Sequence, residues 1–91
     1  MVAMWIIKFT KNAEKDKTLL KSAELEEKTK KLLNLITTNP FQNPPGFEKL
    51  VGDLEDCYLR RINIKHRLVY RVYEELNTVV IHSMWSHYGD N

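Results

Sequence analysis

Between Tyr58 and Tyr73 the chain carries Arg60, Arg61, Lys65, Arg67 and Arg71 with no acid among them, and His87 and Tyr88 stand side by side near its end. Guanidinium groups stay protonated and offer planar, paired donors to phosphate. Imidazole exchanges a proton near its ordinary pKa of about 6.5, and aromatic rings stack on unpaired bases. These types suit a polyanion, and RNA most of all. An RNA strand brings its own nucleophile, the 2'-hydroxyl. Cleaving it needs one group to take that proton, another to protonate the departing 5' oxygen, and cations to stabilise the phosphorane between them. A carboxylate, a histidine and arginines suffice for this, without metal or organic cofactor.

Strands must position these groups. Tyr58 to Asn63, His66 to Tyr73, and Thr78 to Trp85 or a little beyond are rich in β-branched and aromatic residues, and short connections make them an antiparallel meander. Alternation puts Leu68, Tyr70 and Val72 on a core face and Arg67, Val69 and Arg71 on an open one. Ile62 and Ile64 join the core face and Leu59, Arg61 and Asn63 the open one, if an odd loop, Asn63-Ile64-Lys65, links the strands. That register sets Arg61 opposite Arg67, which costs roughly several tenths of a kcal/mol unless an anion binds between them. Carboxylates such as Glu48, Glu74 or Glu75 are the alternative partners. If alternation survives the last connection, Trp85 and His87 share the face of Arg67.

Upstream, Trp5 to Phe9 reads as a short, largely buried strand, and Thr10 as the N-cap of the first helix. From Lys11 to Thr38 the period is helical, with Leu25, Thr29, Leu32 and Ile36 forming a stripe that Leu33 and Leu35 widen. A break near Ser22 makes two helices, with Ser22 capping the second and Glu24, Glu26 and Glu27 in its first turns. Glu24 with Lys28, Glu26 with Lys30, and Glu27 with Lys31 then form a solvated face. Asn39-Pro40 ends the helix. Pro40 to Gly46 is a loop, and a short segment around Phe47 to Val51 comes after it.

The 91 residues fit one domain, 1–91, with one modest core, and the class is α+β: an antiparallel, twisted sheet with both helices, from the N-terminal half, on one face. A net charge of +2 is too small to indicate nucleic-acid binding by itself, so the concentration of arginine in the strands carries that inference. No apolar run approaches the roughly 18 residues of a membrane span, and the opening lacks a secretory signal. The single cysteine, Cys57, reads as a buried thiol in a reducing compartment, which points to the cytoplasm. His66, His82 and His87 have poor spacing for a metal site.

Over nearly its whole length the chain resembles the YoeB-type toxins of bacterial toxin-antitoxin modules, within the RelE group of messenger-RNA interferases. The likeness rests on Asn39-Pro40-Phe41, Phe47-Glu48-Lys49-Leu50, Arg60-Arg61-Ile62, His66-Arg67-Leu68-Val69-Tyr70 and His87-Tyr88. It implies the RelE/YoeB-like microbial ribonuclease fold, with Glu48 as general base, Arg67 at the scissile phosphate, and Arg61 as an accessory RNA contact. His87 is then the general acid, and Tyr88 an aromatic that helps hold the substrate. It further implies a toxin that is a ribosome-dependent, metal-independent endoribonuclease cutting messenger RNA in the A site. The ends left would be a 2',3'-cyclic phosphate or 3'-phosphate and a 5'-hydroxyl. Its partners would be a YefM-like antitoxin, the ribosome and a second copy of the chain, with operator DNA met only through the toxin-antitoxin complex. A non-catalytic RNA- or DNA-binding module is the alternative. Val51, where some members carry a basic residue, and the Gly89-Asp90-Asn91 extension depart from the pattern.

Overall fold

The computed structural model of the chain describes residues 4–50 and 57–87. In chain order these form β1 (Ile6–Phe9), α1 (Lys11–Ser22), α2 (Glu26–Thr38), β2 (Glu48–Lys49), β3 (Cys57–Arg61), β4 (His66–Tyr73), a short 3-10 turn at Glu74–Leu76, and β5 (Thr78–His87). The strands make one five-stranded sheet in the order β1-β5-β4-β3-β2. No helix among the described residues is long and apolar enough to cross a membrane.

Thr10 starts α1 as its residue type predicts: its hydroxyl accepts the Ala13 N–H at 3.1 Å. The same hydroxyl donates to the His82 carbonyl at 2.9 Å, so the cap also ties the helix to β5. The two helices separate where expected, by a different device. Ser22 is the last residue of α1, and α2 starts after Leu25 without a side-chain cap. The chain turns at Glu24, whose φ of 60° is left-handed, while the Leu25 N–H reaches the Leu20 carbonyl at 2.9 Å and the Glu24 N–H that of Lys21 at 3.2 Å. This is a Schellman ending with glutamate where glycine is usual. Glu24 therefore precedes α2; of the helical pairs, Glu26 and Lys30 approach to 3.6 Å.

Ala13, Leu20, Leu25 and Ile36 of the helical half pack on Ile62, Leu68, Tyr70, Val72, Val79, Ile81 and Met84. Leu68 and Tyr70 are fully buried, and Val69 and Arg71 beside them only half so, as alternation requires. Expectations about the strands need correction at β1, at Ile64 and in β5. β1 runs parallel to β5, Ile6 beside Thr78 and Phe9 beside Ile81, so the sheet is mixed. No hairpin constrains β1, and the helices after it give the chain the length that a parallel crossover needs. As an edge strand it is covered on one side only, and Ile6 is 52% exposed.

The β3–β4 hairpin closes through the three residues Asn63, Ile64 and Lys65, whose tight turn is organised by Asn63: its Oδ1 accepts the Lys65 N–H at 2.9 Å and the His66 N–H at 2.7 Å. Ile64 sits at the tip, 83% exposed, and does not join the core. In β5 alternation breaks. Ile81 faces Tyr70, Ser83 faces Val69 and Ser86 faces Arg67, so β5 takes an extra residue at each of two register shifts. The buried Asp16 of α1 accepts the Met84 N–H at 2.9 Å within this stretch.

Candidate active site

The tight hairpin fixes the arginines. Arg61 and Arg67 are direct cross-strand partners on β3 and β4, as the odd loop requires. They differ in surroundings: Arg61 is exposed, whereas Arg67 is only 4% exposed. The Nη1 of Arg67 donates to the carbonyls of Asn63 and Ile64, both at 3.1 Å, so the turn holds its guanidinium from one side. These carbonyl dipoles partly offset the repulsion between the two cations.

The carboxylate comes from the sheet edge. Glu48 pairs with Leu59, which places it on the same side of the sheet as Arg61, two residues further along β3. Glu48 and Arg61 line one pocket of about 140 Å³ together with Gly46, Phe47 and Leu59. No ion pair joins Arg61 to a carboxylate among the described residues. A carboxylate and a cation thus share a small open cleft, with a second guanidinium across the strand pair. Guanidinium groups so placed can pair with the oxygens of a phosphodiester. A larger cavity, of about 440 Å³, lies at the other end of β4 among Arg71, Tyr73 and Glu74, and Glu48, Arg61 and Arg67 do not line it.

His87 ends β5 opposite His66, and its neighbour Ser86 stands opposite Arg67. The bulged register therefore sets Ser86, and not His87, directly across from Arg67, while the backbone of position 87 lies one residue from that partner. Because Tyr73 pairs with Thr78, the last connection already sets even positions at the start of β5 across from the odd positions of β4, so the condition under which Trp85 and His87 share the face of Arg67 is not met. Trp85 instead lays its ring 4.1 Å from that of His66. Tyr88, Val51 and Gly89-Asp90-Asn91 lie outside the described residues.

One residue beside the site escapes a reading of the sequence. Arg60 is 1% exposed and belongs to the core side, opposite Leu68. Its Nε donates to the Tyr70 hydroxyl at 3.0 Å, Nη1 to the Pro45 carbonyl at 2.9 Å, and Nη2 to the carbonyls of Pro40 at 3.0 Å and Gln42 at 2.8 Å. The Tyr70 hydroxyl in turn donates to the Pro40 carbonyl at 2.8 Å. Burial raises the pKa of Tyr70 above its ordinary 10.0, with the Arg60 charge pulling the other way. A signal was available: the alternation that puts Leu68 and Tyr70 inside puts Arg60 inside as well. Cys57 is a buried thiol, as expected of a lone cysteine among strand residues.

The sequence profile of the YoeB-like toxins of bacterial type II toxin-antitoxin systems matches residues 9–88. Among solved structures, the YoeB/ParE toxin from Agrobacterium tumefaciens superposes with a TM-score of 0.81 at 27% identity, covering 91% of this chain and 99% of that one. The YoeB dimer from Staphylococcus aureus gives 0.78 at 35% identity, with 94% and 100% covered. The YoeB-YefM complex from the same organism gives 0.76 at 34%, again with 94% and 100% covered. An archaeal RelE-RelB complex from Pyrococcus horikoshii, at 18% identity, a TM-score of 0.76, and 96% and 99% covered, shares the fold. No curated protein matches significantly.

Proposed function

The chain belongs to the YoeB-like toxins of bacterial type II toxin-antitoxin systems, and from that premise we propose that it is a metal-independent endoribonuclease acting on ribosome-bound messenger RNA in the A site. The observation that carries this reading is the pocket shared by Glu48 and Arg61, with Arg67 across the strand pair. Glu48 takes the 2'-hydroxyl proton. Arg67 and Arg61 stabilise the charge that develops on the phosphorane, and His87 protonates the leaving 5' oxygen. Tyr88 stacks on a base beside the cut. Acid and base groups of this kind are worth about 10² to 10⁴-fold each. The products are a 2',3'-cyclic phosphate or 3'-phosphate and a 5'-hydroxyl. The chain works in the cytoplasm, where ribosomes are, as one domain of residues 1–91. A YefM-like antitoxin is its inhibitor, by likeness to the Staphylococcus aureus complex, and the dimer from that organism supports a homodimer. Operator DNA is met through the toxin-antitoxin complex.

Purified toxin, translating ribosomes and a chelator test this directly by mapping the termini produced. Cutting that persists in chelator and leaves 5'-hydroxyl ends is expected; loss with chelator, or 5'-phosphate ends, rules the mechanism out. Inhibited translation with intact messages would indicate a binder and not a nuclease. Replacing His87 slows cleavage far more than it weakens ribosome binding, whereas equal losses would make His87 a binding residue.

A further inference from the structure

Glu48 sits on a strand of two residues at the edge of the sheet, and so short a ladder cannot by itself hold a side chain to catalytic tolerance. The segment that delivers it, from Pro40 to Phe47, has no helix or strand of its own. Arg60 supplies what that segment lacks. Four of its hydrogen bonds go to Tyr70 of the sheet and to the carbonyls of Pro40, Gln42 and Pro45. Its guanidinium carbon also lies 4.8 Å from the ring centre of Phe47, the residue next to Glu48.

Burying a guanidinium is costly unless its donors are satisfied, so a structure that needed only a filled core would do better with an apolar side chain. The planar fork of arginine, with five N–H donors, is the group that can gather three carbonyls and a hydroxyl at once; an ammonium is a point charge with three. No carboxylate among the described residues forms an ion pair with Arg60, so its donors are directed to the loop.

We propose that Arg60 is a positioning residue: by binding the carbonyls of the Pro40–Phe47 segment against Tyr70, it sets Glu48 in the pocket facing Arg61. This rests on the nuclease reading for its catalytic consequence, and on the hydrogen bonds alone for its structural one. It acts through Glu48 and touches no substrate.

The test is Arg60→Lys, which keeps the charge and gives up the fork, with Tyr70→Phe as a milder second variant that removes the hydroxyl linking Arg60 to Pro40. Single-turnover cleavage on programmed ribosomes is expected to fall about 10- to 100-fold in Arg60→Lys with ribosome affinity unchanged, the scale of a misplaced catalytic group. In a Glu48→Gln background the same substitution should cost nothing more, because the group it positions has already been disabled. Backbone hydrogen exchange should rise at least about tenfold in residues 41–49 while β4 keeps its protection. An additive loss in the double variant, or unchanged loop exchange in both variants, overturns the proposal. Wild-type protein that leaves messages intact would sink the nuclease reading, and the exchange measurement would still decide whether Arg60 orders the loop.

Discussion

Arg61 and Arg67 face each other directly across the β3–β4 ladder, one exposed and one held by the carbonyls of its own turn. Like charges in this relation destabilise a folded chain by about 0.2 to 1 kcal/mol, and a bound phosphate reverses the sign. Replacing Arg61 with alanine should therefore leave the free protein as stable as before, or more stable by up to about that amount, while cleavage of ribosome-bound message falls. Urea denaturation and single-turnover cleavage on the same preparation check it. A clear loss of stability would mean that the arginine serves the fold.

Glu24 offers an opportunity to stabilise the protein away from the site. It occupies the left-handed region at the end of α1, where a Cβ costs about 1 to 2 kcal/mol that glycine avoids. Glycine loses part of that gain to the greater freedom of its unfolded chain, so Glu24→Gly should stabilise by about 0.5 to 1 kcal/mol. Thermal unfolding reads the change, and cleavage should be untouched.

Asp16 tests the bulged part of β5. Its buried carboxylate accepts the Met84 N–H, and removing it leaves a buried donor unsatisfied at a cost of about 1 to 3 kcal/mol. Asp16→Ala should lose that much in denaturant titration, and Asp16→Asn, whose amide oxygen can still accept, should lose less. Because the same bond anchors the strand that ends in His87, hydrogen exchange at positions 82–87 should rise more in the alanine variant.

Tyr70 predicts an alkaline limit. Its folded pKa is raised above 10.0 by burial, so the neutral phenol is the form the fold accommodates. The contribution is fully present below about pH 10 and is lost as the pH climbs through the folded value. Stability against urea should therefore fall in that alkaline window in the wild type and fall less steeply in Tyr70→Phe. Phenolate absorbance monitored in parallel should show one tyrosine ionising later than the rest and together with unfolding.

The hairpin and its face pattern were legible because a two-residue period with short connections leaves one consistent register; Leu68, Tyr70 and Val72 inside and Arg61 against Arg67 are its consequences. Thr10 and Pro40 mark element ends through local chemistry, which needs no distant partner. The break between helices could be placed, but not its geometry, because a left-handed glutamate has no compositional sign. Arg60 reads, with its neighbour, as part of a basic run. Its burial depends on carbonyls 15 to 20 residues earlier in the chain, brought to it by the fold.

Residue types and spacing by themselves determined the chemistry on offer, the antiparallel meander and the opposition of the arginines, since these rest on backbone periodicity and side-chain identity. Tertiary structure alone decided three things: the parallel placement of β1 beside β5, the two extra residues that put Ser86 across from Arg67, and the loop that brings Glu48 to Arg61. Each depends on contacts between segments far apart in the chain, where packing and buried hydrogen bonds outweigh any local preference.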